Sequence, residues 1–496
     1  MARGHDTVAG MSEAVADRSP RRPLRYRLNP ERGGRTKAER VALGKAARAR
    51  VPRQAHAVFD PPSGRTDPLQ LLAEQAASRV PELVPLRYGR MMVSPFTYFR
   101  GAALPMASDL AATAVSGLAV QACGDAHLSN FGIFGSAERR LVFDVNDFDE
   151  TLPGPWEWDV KRLAASMEVA ARSGGFPAKA RREIALATVA RYRQAMREFA
   201  GMSDLDVWYA HADADQLRAQ YEAQLKVRQR KAVDKGLAKA RTRDSMQELA
   251  KLTKLVDGRP RIISDPPLLV PIDELIVGPG GQSGIRSQLG VLLARYRRTL
   301  ETDRRHLLDR FELVDVARKV VGVGSVGTRC WIVLMLGSDE SDPLFLQVKE
   351  AEKSVLSRFA GASKHANQGQ RVVAGQRLMQ ASSDIFLGWQ RIEEGLDGQS
   401  RDFYVRQLRD WKFSIDIETM APGDMRLYGQ LCGWTLARAH ARSGDCLAIA
   451  AYLGRSDVFD RAIAEFATAY ADQNERDHAA LVAAVASGQV TAERGL

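Results

Sequence analysis

The chain has 496 residues, of which 45% are hydrophobic and 26% are charged. This composition excludes a disordered or collagen-like protein, and the length predicts two or three compact units. No stretch approaches the roughly 18 uninterrupted apolar residues of a membrane span. The first thirty residues carry acids and arginines where a secretory signal needs an apolar run. We therefore expect a soluble, cytoplasmic protein without a membrane span.

The net charge of +11 is concentrated at the N-terminus. Residues 1–56 contain 14 Lys/Arg and 5 Asp/Glu, so this basic N-terminal arm alone carries +9. A block of one sign is usually a solvated tail. Tyr26 is the only aromatic residue in the arm, whereas single-stranded nucleic acids are bound by interleaved aromatic residues. A nucleic-acid partner is therefore not expected.

Within the arm, residues 37–50 favour a basic helix, and we expect ordered structure from near residue 57. Residues 94–101 are aromatic and β-prone. Strands, loops and a turn alternate over residues 119–150, and helical periodicity follows to about Phe199. These patterns predict a unit that combines helices and strands.

A helical stretch rich in lysine and arginine then occupies residues 201–258, and its charges surround most of the helix, which is typical of a solvated insertion. Two connectors follow, one rich in proline at 264–275 and one rich in glycine at 278–284. β-prone runs return at 315–349, and the C-terminal end is helical. The predicted units are the basic arm 1–56, a catalytic-loop half of a larger lobe 57–200, a charged helical insertion and connector 201–310, a smaller β-rich nucleotide-binding lobe 311–414, and a helical part completing the larger lobe 415–496.

The sharpest motif is CGDAHLSNFGIF, which begins at Cys123 and is followed by LVFDVNDFDE, which begins at Leu141. It fits the pattern G-D-x-H-x-x-N through Gly124, Asp125, His127 and Asn130. With Asn and His both scarce, a chance match at four fixed positions is improbable. Oxygen-bearing side chains around one cleft suit magnesium and phosphoryl transfer, which needs an aligned acceptor hydroxyl and neutralised charge.

This segment resembles the catalytic loop and metal-binding aspartate of protein-kinase-like folds, particularly the aminoglycoside-phosphotransferase branch. The resemblance implies that Asp125 is the acceptor-orienting catalytic base, with His127 in the same catalytic loop. It also implies that Asn130 and Asp147 bind magnesium.

Asp144 also follows an apolar strand and is an alternative to Asp147, but the Asp-Phe pair of Asp147 fits the motif better. Asp159 resembles the buried aspartate that supports the catalytic-loop backbone in these folds. His440, in a predicted helix, is expected to pack rather than to catalyse.

A second motif, GVGSVG, places Gly322, Gly324 and Gly327 in a G-x-G-x-x-G pattern. A dinucleotide-binding fold needs a helix directly after these glycines, whereas TRCWIVLML is strand-like. The pattern favours a strand–glycine–strand hairpin, and it is similar to the kinase loop that covers the phosphates of ATP. By that resemblance Lys349 contacts the phosphates. Its usual glutamate partner is missing from the segment where the kinase C-helix belongs, and Gln376 or Glu352 could substitute.

The catalytic loop precedes the glycine motif, which reverses the order of an ordinary kinase, and a circular permutation reconciles the two. Overall the chain most closely resembles a bacterial family known as domain of unknown function 2252. That family shares the GDAHLSNFG, FDVNDFDE and LQVKEA stretches, and the resemblance covers nearly the whole chain from about residue 40.

The resemblance implies an α+β, two-lobed, protein-kinase-like fold that is circularly permuted. It also implies an ATP- and magnesium-dependent phosphotransferase acting on a hydroxyl of a small molecule or a protein. Two alternatives stay open. One is a kinase-like pseudoenzyme that binds a nucleotide or metabolite as a regulatory module, and the other is a nucleotidyl (AMP) transferase. The sequence does not determine the acceptor, the base of the donor or the oligomeric state.

Overall fold

The computed structural model describes residues 26, 28, 34–61, 63–221, 227–242, 245–275, 281–395, 397–408, 411 and 415–494. Helices and antiparallel sheets are mixed along the chain. The helices are α1 Lys37–Arg50, α2 Pro68–Ala76, α3 Val84–Met91, α4 Pro95–Gly101, α5 Ala103–Ala111, α6 Trp156–Ser173, α7 Ala178–Ala200, α8 Asp204–Tyr209, α9 Ala214–Tyr221, α10 Val227–Arg241, α11 Ser245–Leu252, α12 Ile272–Leu275, α13 Gly281–Arg297, α14 Thr302–Leu308, α15 Ser357–Ala360, α16 Gln368–Met379, α17 Pro422–Ser443, α18 Cys446–Leu453 and α19 Val458–Ala486.

The strands of the described residues form one large sheet and several small ones. The large sheet has the order β12-β13-β11-β10-β9-β8, and the smaller ones are β2-β3-β5, β1-β4 and β6-β7. The strands are β1 Ala119–Ala122, β2 Phe131–Gly135, β3 Leu141–Val145, β4 Leu152–Pro155, β5 Ala212–Asp213, β6 Thr253–Val256, β7 Arg259–Ile262, β8 Leu269–Pro271, β9 Glu312–Lys319, β10 Cys330–Leu336, β11 Pro343–Glu350, β12 Gly388–Ile392 and β13 Arg401–Gln407.

The large sheet is built on a meander of β9, β10 and β11, whose β-branched and aromatic residues suit a pleated surface. In its antiparallel register Lys349 of β11 lies opposite Cys330 of β10 on one side and Tyr404 of β13 on the other. The glycine motif connects β9 to β10, as the sequence predicts. This register fixes the position of Lys349 near the C-terminal end of β11, between β10 and β13.

The main hydrophobic core lies among α6, α7, α17, α18 and α19. Trp156 is fully buried and stacks on Tyr192 with ring centroids 5.7 Å apart. Helix α17 approaches α7 closely, because Gly433 has no side chain to collide with the carbonyl of Thr188. The C-terminal apolar stripe is buried in this core through Phe459, Ile463, Phe466 and Tyr470.

Two local predictions are corrected near the N-terminus. The basic helix at 37–50 forms as α1, and it packs on α18 through an ion pair between Arg40 and Asp445, so ordered structure begins before residue 57. Residues 94–101 contain helix α4 rather than a strand. Its start is fixed by Ser94, which accepts the N–H of Thr97 at 3.1 Å, and by Pro95 at the first helical position. Most of the arm before residue 34 lies outside the described residues.

The segment 201–310 is less uniform than the predicted helical insertion. Its hairpin β6-β7 and helix α11 bury Leu252 and Ile262 against Ile332 of the large sheet. β8 joins that sheet next to β9. The first part of the glycine-rich connector at 278–284 lies outside the described residues. Among the helices of the described ranges, none combines the length and apolarity needed to cross a membrane.

Candidate functional site

A cavity of about 560 Å³ brings the two motifs together, although they lie far apart in the sequence. Its walls come from the catalytic loop (residues 124–130), the DFD triplet (residues 147–149), the glycine loop (residues 322–327), the end of β11 with the residues after it, and parts of α2, α4 and α5 with the turn after α2. We refer to it as the site cavity. Its lining includes Asp125, His127, Asn130, Asp147, Gly322 and Gly324.

The backbone at the start of the catalytic loop is held by Asp159 of α6. Its buried carboxylate accepts the N–H of Cys123 at 2.6 Å and the N–H of Gly124 at 3.0 Å. The Nε2 atom of His440 lies 3.1 Å from the same carboxylate, and the Nδ1 atom lies 2.9 Å from the Tyr192 hydroxyl. Asp159 therefore has the supporting position that the resemblance implies, and His440 is a fully buried packing residue that helps to hold it.

Asp125 presents its carboxylate to the site cavity in a fixed orientation. Arg162 of α6 bonds to its Oδ1 through Nε at 2.7 Å and through Nη2 at 2.6 Å. The amide group of Asn130 donates to the Asp125 carbonyl at 2.8 Å, which closes the loop on itself. Burial raises the pKa of Asp125, and the neighbouring Arg162 opposes that rise. Both contacts of Arg162 are made to Oδ1 and not to Oδ2.

His127 lies beside Asp125 but is buried, with its Nε2 atom 3.8 Å from Oδ2. Burial, together with the charges of Arg162 and Arg100, lowers the pKa of His127 well below its ordinary value. The imidazole is therefore neutral at physiological pH. This environment suits a residue that shapes the loop better than one that carries a proton.

The DFD triplet is joined to the large sheet by Lys349. The buried Lys349 ammonium contacts the Asp149 carboxylate and lies 3.9 Å from Oδ2 of Asp147. The Tyr404 hydroxyl donates to Asp149 at 2.8 Å. Burial and the charge of Asp149 raise the pKa of Asp147. For Asp149 burial acts in the same direction, but the contact with Lys349 outweighs it and lowers the pKa.

The partner of Lys349 is thus the second aspartate of the triplet, and neither residue that the sequence offers fills that place. Gln376 on α16 bonds to Gln380 at 2.8 Å. Glu352 uses its backbone carbonyl, which accepts from Arg371 of α16 at 2.7 Å. The predicted partners lie downstream of Lys349, whereas the carboxylate that pairs with it comes from a loop about 200 residues upstream.

The sequence also gave no indication that Arg371 contributes to the site. This buried side chain donates to the carbonyl of Asp149 at 2.8 Å and to that of Thr151 at 2.8 Å. It thereby ties α16 to the DFD triplet. An arginine on a helix carries no signal for such a role until the fold brings its helix to the loop.

Asp144, the alternative metal ligand, is turned away from the cavity. It is buried, pairs with Arg438 of α17 at 2.5 Å and accepts the N–H of Ala381 at 2.9 Å. Asp147, which lines the cavity, is therefore the better candidate of the two.

The glycine loop is covered by the N-terminal helices. Val323 packs against Tyr88 and Met91, and Arg90 donates to the Gly322 carbonyl at 2.7 Å. Gly322 and Gly327 have positive φ values of 66° and 87°, which favour glycine. Gly327 and Lys349 lie next to the cavity lining rather than within it.

The residues around the cavity fit magnesium rather than a metal caged by protein alone. Across the described ranges, no group of three or more His, Cys, Asp or Glu side chains could hold a metal ion. Magnesium is usually bound by one or two carboxylates together with substrate phosphates and water. Asp147 offers a carboxylate on the cavity wall. Asn130 uses its amide N–H within the loop, so its amide oxygen is the atom that it could offer to a cation.

The comparisons with known proteins identify the family. The bacterial family described as an uncharacterized protein conserved in bacteria, DUF2252, matches residues 79–484. The chain belongs to the DUF2252 family. No curated protein and no solved structure matches it. The match in this DUF2252 chain includes the catalytic loop, the DFD triplet and the glycine loop.

Proposed function

We propose that this DUF2252 chain is an ATP- and magnesium-dependent phosphotransferase with a two-lobed, circularly permuted, kinase-like fold. One observation carries the proposal: the catalytic loop, the DFD triplet and the glycine loop line one cavity, although their order in the chain is reversed. The expected strand–glycine–strand hairpin and the support of the catalytic loop by Asp159 add to it.

In the proposed reaction an acceptor hydroxyl attacks the terminal phosphorus of ATP. The new oxygen–phosphorus bond forms as the bond to the β–γ bridging oxygen breaks, and ADP leaves. The hydroxyl proton passes to Oδ2 of Asp125, because Arg162 occupies Oδ1. The ion pair with Arg162 favours the charged form of Asp125 and fixes its orientation, which suits alignment of the hydroxyl.

Asn130 and Asp147 are the residues that would hold magnesium, which neutralises phosphate charge when bound. Lys349 lies 3.9 Å from Oδ2 of Asp147 and would interact with the inner phosphates of the nucleotide. Its present contact with Asp149 keeps the ammonium charged, because burial lowers the pKa of Lys349 less than the two neighbouring aspartates raise it.

The experiment is thermal unfolding of the parent, Asp125→Asn and Asp147→Asn with ATP, GTP or no nucleotide, each with and without magnesium. A ligand at 100 times its Kd stabilises the folded state by about 2.7 kcal/mol. We expect a magnesium-dependent shift in the parent and in Asp125→Asn, and its loss in Asp147→Asn. Glu465→Gln, on the exposed face of α19, is the control. No shift with any nucleotide in the parent refutes the proposal.

A nucleotide-binding regulator without turnover is the second candidate. The ion pair between Arg162 and Asp125 favours it, since Arg162 lowers the basicity that burial alone would give this carboxylate. Nucleotide labelled at the γ- or the α-phosphorus separates the possibilities. Transfer of the γ label indicates a phosphotransferase, transfer of the α label an AMP transferase, and binding without transfer a regulator.

A further inference from the structure

The turn after α2 and the helix α4 each contribute one arginine that the proposed reaction leaves without a role. Arg79 and Arg100 both line the site cavity. Arg79 is 7% exposed and Arg100 is half-buried. In both side chains the Nε atom is buried and has no hydrogen-bond partner among the described residues. A buried guanidinium group with unmade hydrogen bonds is costly, and such a group calls for an explanation.

Both arginines lie against the glycine loop. A Cβ atom built on Gly327 would lie 3.1 Å from the Arg79 side chain, and one on Gly324 would lie 3.0 Å from the Arg100 carbonyl oxygen. Arg79 also donates to the carbonyl of Val326. The Arg79 side chain and the Arg100 backbone therefore adjoin the loop that, in the proposed function, covers the phosphates of the nucleotide.

Another buried arginine lies near Arg79. Arg87 is fully buried and donates to the Gly101 carbonyl at 3.0 Å, while its Nε and Nη1 atoms have no partner within the described chain. Burial, reinforced by the charge of Arg79, lowers the pKa of Arg87 to about 9. The carboxylates of Glu352 and Glu150 act on Arg79 through space but do not hydrogen-bond to it.

A third arginine of the same cavity serves as a contrast. Arg358 is 52% exposed, and its guanidinium pairs with Glu74 at 2.9 Å. Its charge is thus already offset within the protein. Arg79 and Arg100 have no such ion pair in the part of the chain that the structure describes.

We propose that Arg79 and Arg100 form a phosphate-binding subsite of the site cavity. A guanidinium group presents donors in a planar fork that matches the oxygens of a phosphate group. The phosphate belongs either to the nucleotide or to a phosphorylated acceptor, and this part of the inference rests on the proposed function. Arg79, in the turn after α2, and Arg100, in α4, thereby form an anion-binding wall of the site cavity.

The test is calorimetric titration of the full chain with inorganic phosphate in the absence of magnesium. We expect Arg79→Gln and Arg100→Gln each to weaken phosphate binding about tenfold or more, which corresponds to one lost charge-assisted hydrogen bond. Arg100→Lys keeps the positive charge but lacks the planar pair of guanidinium donors, so this variant should bind phosphate with intermediate affinity. Arg358→Gln, the matched control in the same cavity, should change the affinity by less than about twofold, because its guanidinium is already paired.

A second titration is performed at saturating magnesium-ATP. If ATP prevents the binding of inorganic phosphate, the subsite holds a phosphate of the nucleotide. If inorganic phosphate still binds in the presence of ATP, the subsite holds the phosphate of the acceptor. If Arg79→Gln does not fold by circular dichroism, the half-buried Arg100 carries the test alone.

Three results overturn the inference: no binding of phosphate at millimolar concentration, unchanged affinity in Arg100→Gln, or an equal loss in Arg358→Gln. Phosphate binding that depends on Arg100 in a chain that binds no nucleotide upholds the subsite and refutes the proposed function, so the two failures are distinguishable.

Discussion

The support of the catalytic loop by Asp159 can be tested by the substitution Asp159→Asn. Asp159 is 1% exposed, and its two oxygens accept from Cys123, Gly124 and His440. An amide keeps one of these oxygens and replaces the other by an NH₂ group. At that position a donor then faces a donor, so at least one backbone N–H loses its acceptor.

The magnitude follows from these contacts. A hydrogen bond to a charged group contributes about 1.5–3 kcal/mol, and a buried polar group left unsatisfied costs about 1–3 kcal/mol. We therefore expect Asp159→Asn to lower the free energy of unfolding by roughly 3–5 kcal/mol, a range also typical of a broken buried charge pair. If the amide oxygen replaces Oδ2, Gly124 is the residue left without an acceptor.

The assay is urea unfolding followed by circular dichroism, with the free energy taken from the midpoint and the slope. Glu465→Gln, an exposed substitution on α19, should stay within about 0.5 kcal/mol of the parent. A loss below about 1 kcal/mol for Asp159→Asn would mean that the loop does not depend on this carboxylate, and it would refute the reasoning.

Three further substitutions test the packing and the charges. Gly433→Ala should destabilise the fold by about 1–3 kcal/mol in urea unfolding, because its Cβ collides with a backbone carbonyl of α7, whereas Gly423→Ala in the same helix meets no atom and should not. Lys349→Met should cost about 3–5 kcal/mol, since it leaves the carboxylates of the triplet 147–149 unpaired, and a neutral effect would contradict the pairing. Burial lowers the pKa of Lys161 to about 7 from 10.5, so the parent loses stability as the pH falls from 10.5 towards 7. The advantage of Lys161→Met over the parent should therefore grow by up to about 1.4 kcal/mol per pH unit from pH 9 to pH 7, and unfolding curves with a constant difference would exclude this.

The elements that were predicted correctly from the sequence depend on residues that are close together along the chain. The glycine motif lies between two strands because β-branched residues flank it, and the stripe from Phe459 to Tyr470 is buried because its spacing follows the helical period. The segment 94–101 shows the limit of propensity. Its aromatic residues suggest a strand, but Ser94 and Pro95 start a helix whose buried face packs in the core.

The sequence by itself determined the motifs, the type of most elements and the residues that could carry chemistry, since these depend on neighbours along the chain. Only the tertiary structure decided which charges meet. Lys349 pairs with Asp149, Arg162 holds Asp125, and α2–α4 cover the glycine loop. These contacts join residues that are distant in sequence, and their partners are selected by the packing of whole elements, because a buried charge is far less costly beside a group that compensates it.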